Sequence, residues 1–183
     1  RIKALIRWYK VYKRYIPSRW RRFFFFMKYR RTYPLYEKYE TFKHDLKKVL
    51  VKLKANGFPL AIVSNTSEAR LNFFRNKLDL DKYFSIYITR DDTPFRKPNP
   101  YPILLALKHI KMEYKVPIIK ENVYFVGDLP TDIDTAKNAG INSIALLSGH
   151  GVKGDLEKSK PTFIIQDIKT ILEIEPFKKF ILD

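Results

Sequence analysis

The chain has 183 residues, 45% of them hydrophobic, with 14 Phe and 12 Tyr, and a formal charge of +17. That length suits one domain with room for an accessory piece, and the apolar and aromatic content excludes a disordered polyelectrolyte. The absence of Cys excludes disulfides, thiolate metal sites and a thiol nucleophile together, and the longest apolar blocks, five residues as in Phe23 to Met27, are far short of the roughly 20 residues of a membrane span. With no span and no secretory signal, a cytoplasmic location is the expectation.

The charge is unevenly placed. Twelve Lys or Arg and no acid fall in the first 36 residues, whereas the remainder carries 24 basic against 19 acidic groups. Residues 1–33 also hold eleven aromatics, among them Trp8, Trp20 and the run Phe23 to Phe26. No strand pattern appears there, and helical stretches fit on either side of Pro17. Residues 1–36 therefore read as a partial helical, basic cap segment and residues 37–183 as the core. Cations interleaved with aromatics also suit nucleic-acid phosphates and bases or an anionic surface, so nucleic acid stands as a second-choice partner.

From Thr41 onward, helix and strand alternate with short connections, as in a parallel sheet covered by helices. Phe42, Leu46, Val49, Leu50 and Leu53 recur at helical spacing and Gly57 stops that helix. The strand "PLAIVS" follows, then a helix with Leu71, Phe74 and Leu78 on one face, then the strand "FSIYI". After a loop with three prolines, Ile103, Leu104, Leu107 and Ile110 mark a helix capped by Asn99, with Pro100 in its first turn. "VYFV", the helix "TDIDTAKNA" stopped by Gly140, the strand "SIALL", the loop "SGHGVKGD", the strand "TFII" and the helix "IKTILEI" complete the chain. Five strands in one three-layer, Rossmann-like parallel α/β sheet are predicted.

In such a sheet, ligands collect beyond the carboxyl ends of the strands, where helix N-termini present free N–H groups. Three loops there carry the right polar groups. In "VSNTS", Ser64 and Asn65 follow a strand directly and form a candidate anion cradle; taken alone, the same residues make an ordinary turn and helix cap. In "RKPNP", Pro98 restricts the backbone of Lys97 and so fixes where a point cation begins, though a lone loop lysine is usually just solvated. In "VGDLPTD", Asp128 ends a strand and Asp132 opens the next helix. Two carboxylates this close repel unless a cation joins them, and hard oxygens clustered at a strand end suit Mg2+. Asp132 could also merely cap its helix, and Asp134 faces solvent.

In the order Ser-Asn, Lys-Pro, Gly-Asp-x-x-x-Asp, with "AKNAG" after the last, the chain resembles the haloacid dehalogenase superfamily, nearest to its phosphoglycolate-phosphatase-like branch with a helical cap. The resemblance runs from about Pro34 to Ile174 and is most specific in "KHDLKKVLVKLKANGFPLAIVSN" and "ENVYFVGDLPTDIDTAKNAG". It implies a Mg2+-dependent phosphatase acting on a small phosphorylated substrate through an aspartyl-phosphate. Ser64 with the Asn65 backbone would bind phosphate, Lys97 would neutralise phosphate and nucleophile, and Asp128 would ligate Mg2+. Asp132 would ligate the ion or orient it through a water. The dehalogenase branch usually lacks the first acid of that loop, so Asp128 favours phosphate chemistry.

The family's nucleophile, an aspartate in a D-x-D motif on the first strand, has no counterpart here: the first acid is Glu37, with no strand before it. The reading adopted is that the chain is a fragment whose upstream part carries that motif, so that these 183 residues alone should not turn over phosphate esters. The alternative is a catalytically silent binding protein that uses its basic N-terminal segment. "GHGVKG" formally fits a dinucleotide-binding glycine pattern, but Pro161 leaves barely two turns of helix after it, so it is assigned to a loop with His150 at the rim.

Overall fold

A computed structural model describes residues 34–179. The chain divides into two compact units, residues 1–44 and 45–183, and the basic aromatic segment 1–33 lies outside the described residues. Helix α1 (Pro34–Ala55) ends at Gly57, whose φ of 74° suits a residue without a side chain. Val49, Leu50 and Leu53 are buried along one stripe of α1, as their helical spacing requires.

Beyond α1 come β1 (Ala61–Val63), α2 (Glu68–Leu78), β2 (Ile86–Ile88), α3 (Tyr101–Tyr114), β3 (Tyr124–Gly127), α4 (Pro130–Ala139), β4 (Asn142–Leu146), α5 (Lys153–Lys158), β5 (Phe163–Ile165) and α6 (Glu175–Lys178). Every strand pair is parallel, which makes this an α/β fold with helical crossovers. The expected helix "IKTILEI" is instead a short 3-10 segment, Ile168–Leu172, and Pro176 stands in the first turn of a separate helix, α6. A proline disfavours helical geometry in the residue before it, so it opens a helix more readily than it continues one.

The five strands are present, but they do not form the single hydrogen-bonded sheet expected from the sequence. β1 pairs with β2, while β3, β4 and β5 form a second sheet with β4 in the middle. Between the two sheets, β1 and β3 each keep an edge with no strand partner among the described residues. Burial follows this arrangement. β4, flanked on both sides, is almost wholly buried, whereas β1 and the apolar β3 are only half-buried along their length.

A shared apolar layer spans both sheets. Ile103 and Leu107 of α3 pack with Ala139 of α4 against Val63 of β1 and Val123 and Phe125 beside and within β3. Ile133 of α4, Ala145 of β4 and Leu156 of α5 form a second, fully buried cluster. Complete burial of an Ile or Leu contributes about 1.5–3 kcal/mol. At the amino ends of the strands, Phe177 lies 5.7 Å from Phe58 and 5.0 Å from Tyr124, closing that end with aromatic rings. The carboxyl ends are left to the polar loops.

Candidate functional site

Beyond β1, the N–H of Ser64 donates to the carbonyl of Ile88 at 2.8 Å, extending the pairing with β2 by one step. Its hydroxyl accepts the N–H of Thr66 at 3.2 Å, and Ser67 caps α2 by accepting the N–H of Arg70 at 3.4 Å. The N–H of Glu68 donates to Asp91 at 2.7 Å. Part of the anion cradle read from "VSNTS" is thus occupied by the protein's own oxygens. Ser64, Asn65, Thr66 and Arg70 remain on the wall of a cavity of about 500 Å³, backed by Ile62, Leu71 and Phe74.

Asn65 acts through its side chain, a role its backbone reading missed. Its Oδ1 accepts the N–H of Lys97 at 3.0 Å and its Nδ2 donates to the Lys97 carbonyl at 3.4 Å, so one amide engages both main-chain groups of a residue 32 positions away. Asn138 of α4 donates to the neighbouring carbonyl of Pro98 at 2.9 Å. The preceding loop is itself built on side chains: Asp92 accepts the N–H and hydroxyl of Thr89 at 2.7 and 2.6 Å, and Arg96 donates to the carbonyl of Thr93 at 2.5 Å. No sequence signal marked Asn138, because amides at helix ends are common and their partners are distant.

So held, Lys97 reaches Asp132: its Nζ lies 2.5 Å from Oδ1, and the two side chains are only 13% and 5% exposed. The ammonium also sits 5.4 Å from the centre of the Phe125 ring. The other oxygen of Asp132 accepts the N–H groups of Asp128 at 3.2 Å and Leu129 at 3.0 Å. Burying a carboxylate this completely is tolerable only because one cation and two N–H donors replace its water. Gly127 permits the arrangement, since a Cβ built there would fall inside the Asp132 side chain.

Asp128 turns elsewhere. Its Oδ2 accepts the main-chain N–H of His150 at 2.7 Å and lies 3.1 Å from that ring's Nδ1. Burial works against the charged form, but the hydrogen bonds from the His150 main chain and ring, with the ring's charge, outweigh it and hold the carboxyl below its ordinary value. Asp132 therefore carries the ammonium of Lys97, while Asp128 meets Asp132 through its N–H. The structure links Asn65, Lys97, Asp132 and Asp128 directly; Ser64 adjoins them as the neighbour of Asn65.

Loops from three strand ends thus gather a hydroxyl, an ammonium and two acids at one edge of a parallel α/β fold. A family model described as haloacid dehalogenase-like hydrolase matches residues 8–146, and the chain belongs to that family. A relative named as a pyrophosphatase, PpaX, from Caldanaerobacter subterraneus subsp. tengcongensis is 32% identical over 139 residues, covering 76% of this chain and 60% of the relative. The phosphoglycolate phosphatase of Escherichia coli K12 is 35% identical over 66% of this chain and 45% of its own length. Among solved structures, a predicted phosphoglycolate phosphatase from Haemophilus somnus superposes with a TM-score of 0.61 at 28% identity, covering 70% of this chain and 55% of that one. The chain spans about half the length of these relatives.

The residues present fit a hard divalent cation of the kind that keeps water in its shell. Among the described residues no three His, Cys, Asp or Glu side chains converge; a cation that keeps most of its waters, as Mg2+ does, needs only one or two carboxylates. Asp128 suits that role: its side chain is 30% exposed and its hydrogen bonds fall on one oxygen, Oδ2, whereas both oxygens of Asp132 are already engaged. Among the described residues no helix is long and apolar enough to cross a membrane.

Proposed function

We propose that this chain forms most of the core of a phosphatase that hydrolyses a small phosphate monoester. The observation that carries the reading is the bridge Asn65–Lys97–Asp132, which ties the loop after β1 to the first turn of α4 and leaves a desolvated ammonium between them. Ser64 and Asn65 would hold the phosphoryl oxygens, and Lys97 would offset the charge that develops on them during transfer. Asp132 keeps Lys97 in place and would orient a metal water. Asp128 would hold Mg2+, which when bound supplies a Lewis acid facing the phosphoryl group.

The nucleophile belongs to the same proposal. An extended segment laid between the unpaired edges of β1 and β3 would complete one continuous parallel sheet, and its carboxyl end would emerge among Ser64, Lys97 and Asp128. An aspartate there would attack phosphorus as the ester P–O bond breaks and the alcohol leaves with a proton, and water would then cleave the aspartyl-phosphate to inorganic phosphate and the free carboxylate. A protein extended upstream to carry a D-x-D strand should release phosphate from p-nitrophenyl phosphate with Mg2+ present. Asp128→Ala in that protein should lower the rate at least 100-fold. An extended, folded protein that stays inactive rejects the reading. Relatives named for pyrophosphate and phosphoglycolate make these the first substrates to assay.

A further inference from the structure

The glycine-rich stretch after β4 is unexplained by any dinucleotide, since the helix that follows it has only six residues. Its glycines are unequal. A Cβ on Gly149 would fall inside the Asp128 side chain, and one on Gly151 would collide with the Asp128 carbonyl oxygen; at Gly154 nothing lies within 4 Å. The segment therefore passes Asp128 at a distance that only glycine allows, on both sides of His150.

Topology explains the encounter. β3 and β4 are parallel neighbours, with Gly127 opposite Ala145, so their carboxyl ends lie side by side and the chain leaving β4 runs against the residue that ends β3. Leu147, where the turn begins, still donates its N–H to the Ile165 carbonyl of β5 at 3.0 Å. On the far side, fully buried Leu156 of α5 would lie 3.2 Å from a Cβ on Gly151, so α5 anchors the returning segment. Between these anchors the His150 N–H is delivered to Asp128 Oδ2 at 2.7 Å, while the imidazole is 95% exposed. The Ser148 hydroxyl, two residues before His150, is buried with no hydrogen-bond partner.

We infer that Gly149, His150 and Gly151 form a main-chain clamp that positions the Asp128 carboxylate, holding Oδ2 so that Oδ1 is presented to a divalent cation in one orientation. The clamp rests on the metal-binding reading above. It assigns His150 a positioning role borne chiefly by its backbone N–H, with the ring Nδ1, 3.1 Å from the same oxygen, secondary. Partners that orient a metal ligand typically contribute 10–100-fold to metal affinity.

Mn2+ titration of the whole chain, read by the electron paramagnetic resonance of the free ion, tests this. Asp128→Ala should abolish binding. Gly149→Ala and Gly151→Ala should each weaken it about 10-fold or more. His150→Ala, which keeps the N–H, should stay within about twofold, and Gly154→Ala should match wild type. If Asp128→Ala binds as wild type does, the metal reading falls. If Asp128→Ala loses binding while both glycine variants keep it, the clamp falls and the metal reading stands. A loss in His150→Ala as large as in the glycine variants also overturns the clamp, by moving its role to the imidazole. Should the glycine variants not fold, the His150 amide proton of the 15N-labelled protein decides: it should resonate downfield and move upfield in Asp128→Ala, and an unmoved resonance rejects the clamp.

Discussion

Two groupings of a cation, a carboxylate and an aromatic ring stand in different halves of this molecule. In one, Lys97 meets Asp132 at 2.5 Å beside Phe125, with side chains 13% and 5% exposed. In the other, Arg75 meets Asp81 at 2.9 Å, with side chains 31% and 58% exposed, and lies 4.1 Å over the ring of Tyr87, whose hydroxyl donates to Asp81 at 2.7 Å. The contacts are alike, but their surroundings are not. Asp132 is withdrawn from water and completed by two main-chain N–H groups, whereas Asp81 keeps most of its solvent. In the first, removal of a partner strands a buried charge; in the second, water replaces what is lost.

The largest effect is expected from breaking the buried pair. Lys97→Ala or Asp132→Ala should lower stability by about 3–5 kcal/mol, and the paired change Lys97→Met with Asp132→Leu should cost much less than the sum, because no unpaired charge remains. Urea denaturation of the three proteins measures both. Equal costs for single and paired changes would remove the distinction between the two groupings.

Asn65→Ala should come next, costing about 0.5–1.5 kcal/mol, because the two bonds to the Lys97 main chain are exposed and water can take the amide's place. A double-mutant cycle with Lys97→Ala should be non-additive, since Asn65 stabilises the fold partly by placing that ammonium. Additive costs would mean that the loop holds its shape without Asn65.

At the exposed grouping, Tyr87→Phe should change stability little and Arg75→Ala should have an effect that fades with added salt. The sharper readout is titration. The Tyr87 hydrogen bond holds the Asp81 carboxyl below its ordinary value against a smaller opposing effect of burial, with Arg75 adding to the lowering. A lowered carboxyl contributes stability above the unfolded pKa near 3.9, and that contribution is lost as pH falls through the folded value. In Tyr87→Phe the Asp81 carbon resonance should therefore titrate at higher pH than in the wild type. The Tyr87 phenol is pushed up, first by burial and then by Asp81, so its contribution is present below pH 10 and disappears only in stronger alkali.

Much of this is legible in the sequence. Apolar runs such as "AIV" and "IYI", helical spacing in "LKKVLVKL" and the glycines at 57 and 140 record local requirements of burial and backbone conformation, so the elements emerge near their expected places. Ser64, Asn65 and Asp128 stand out in the sequence as polar groups directly after strands, and Lys97 and Asp132 as charged groups beside the starts of the helices that follow. What each one touches was not legible. The partners lie far apart in sequence, 32 residues for Asn65 and Lys97, 35 for Lys97 and Asp132, 22 for Asp128 and His150.

Sequence by itself determined that this is a parallel α/β chain with a polar edge, because period and composition act through neighbouring residues. Only the tertiary structure decided which strands pair among the described residues, that an ammonium sits on Asp132, and that the glycine-flanked turn after β4 meets Asp128. Strand pairing and charge pairing are settled by which distant segments meet and by how much water is left between them, and neither quantity is written in any local stretch of residues.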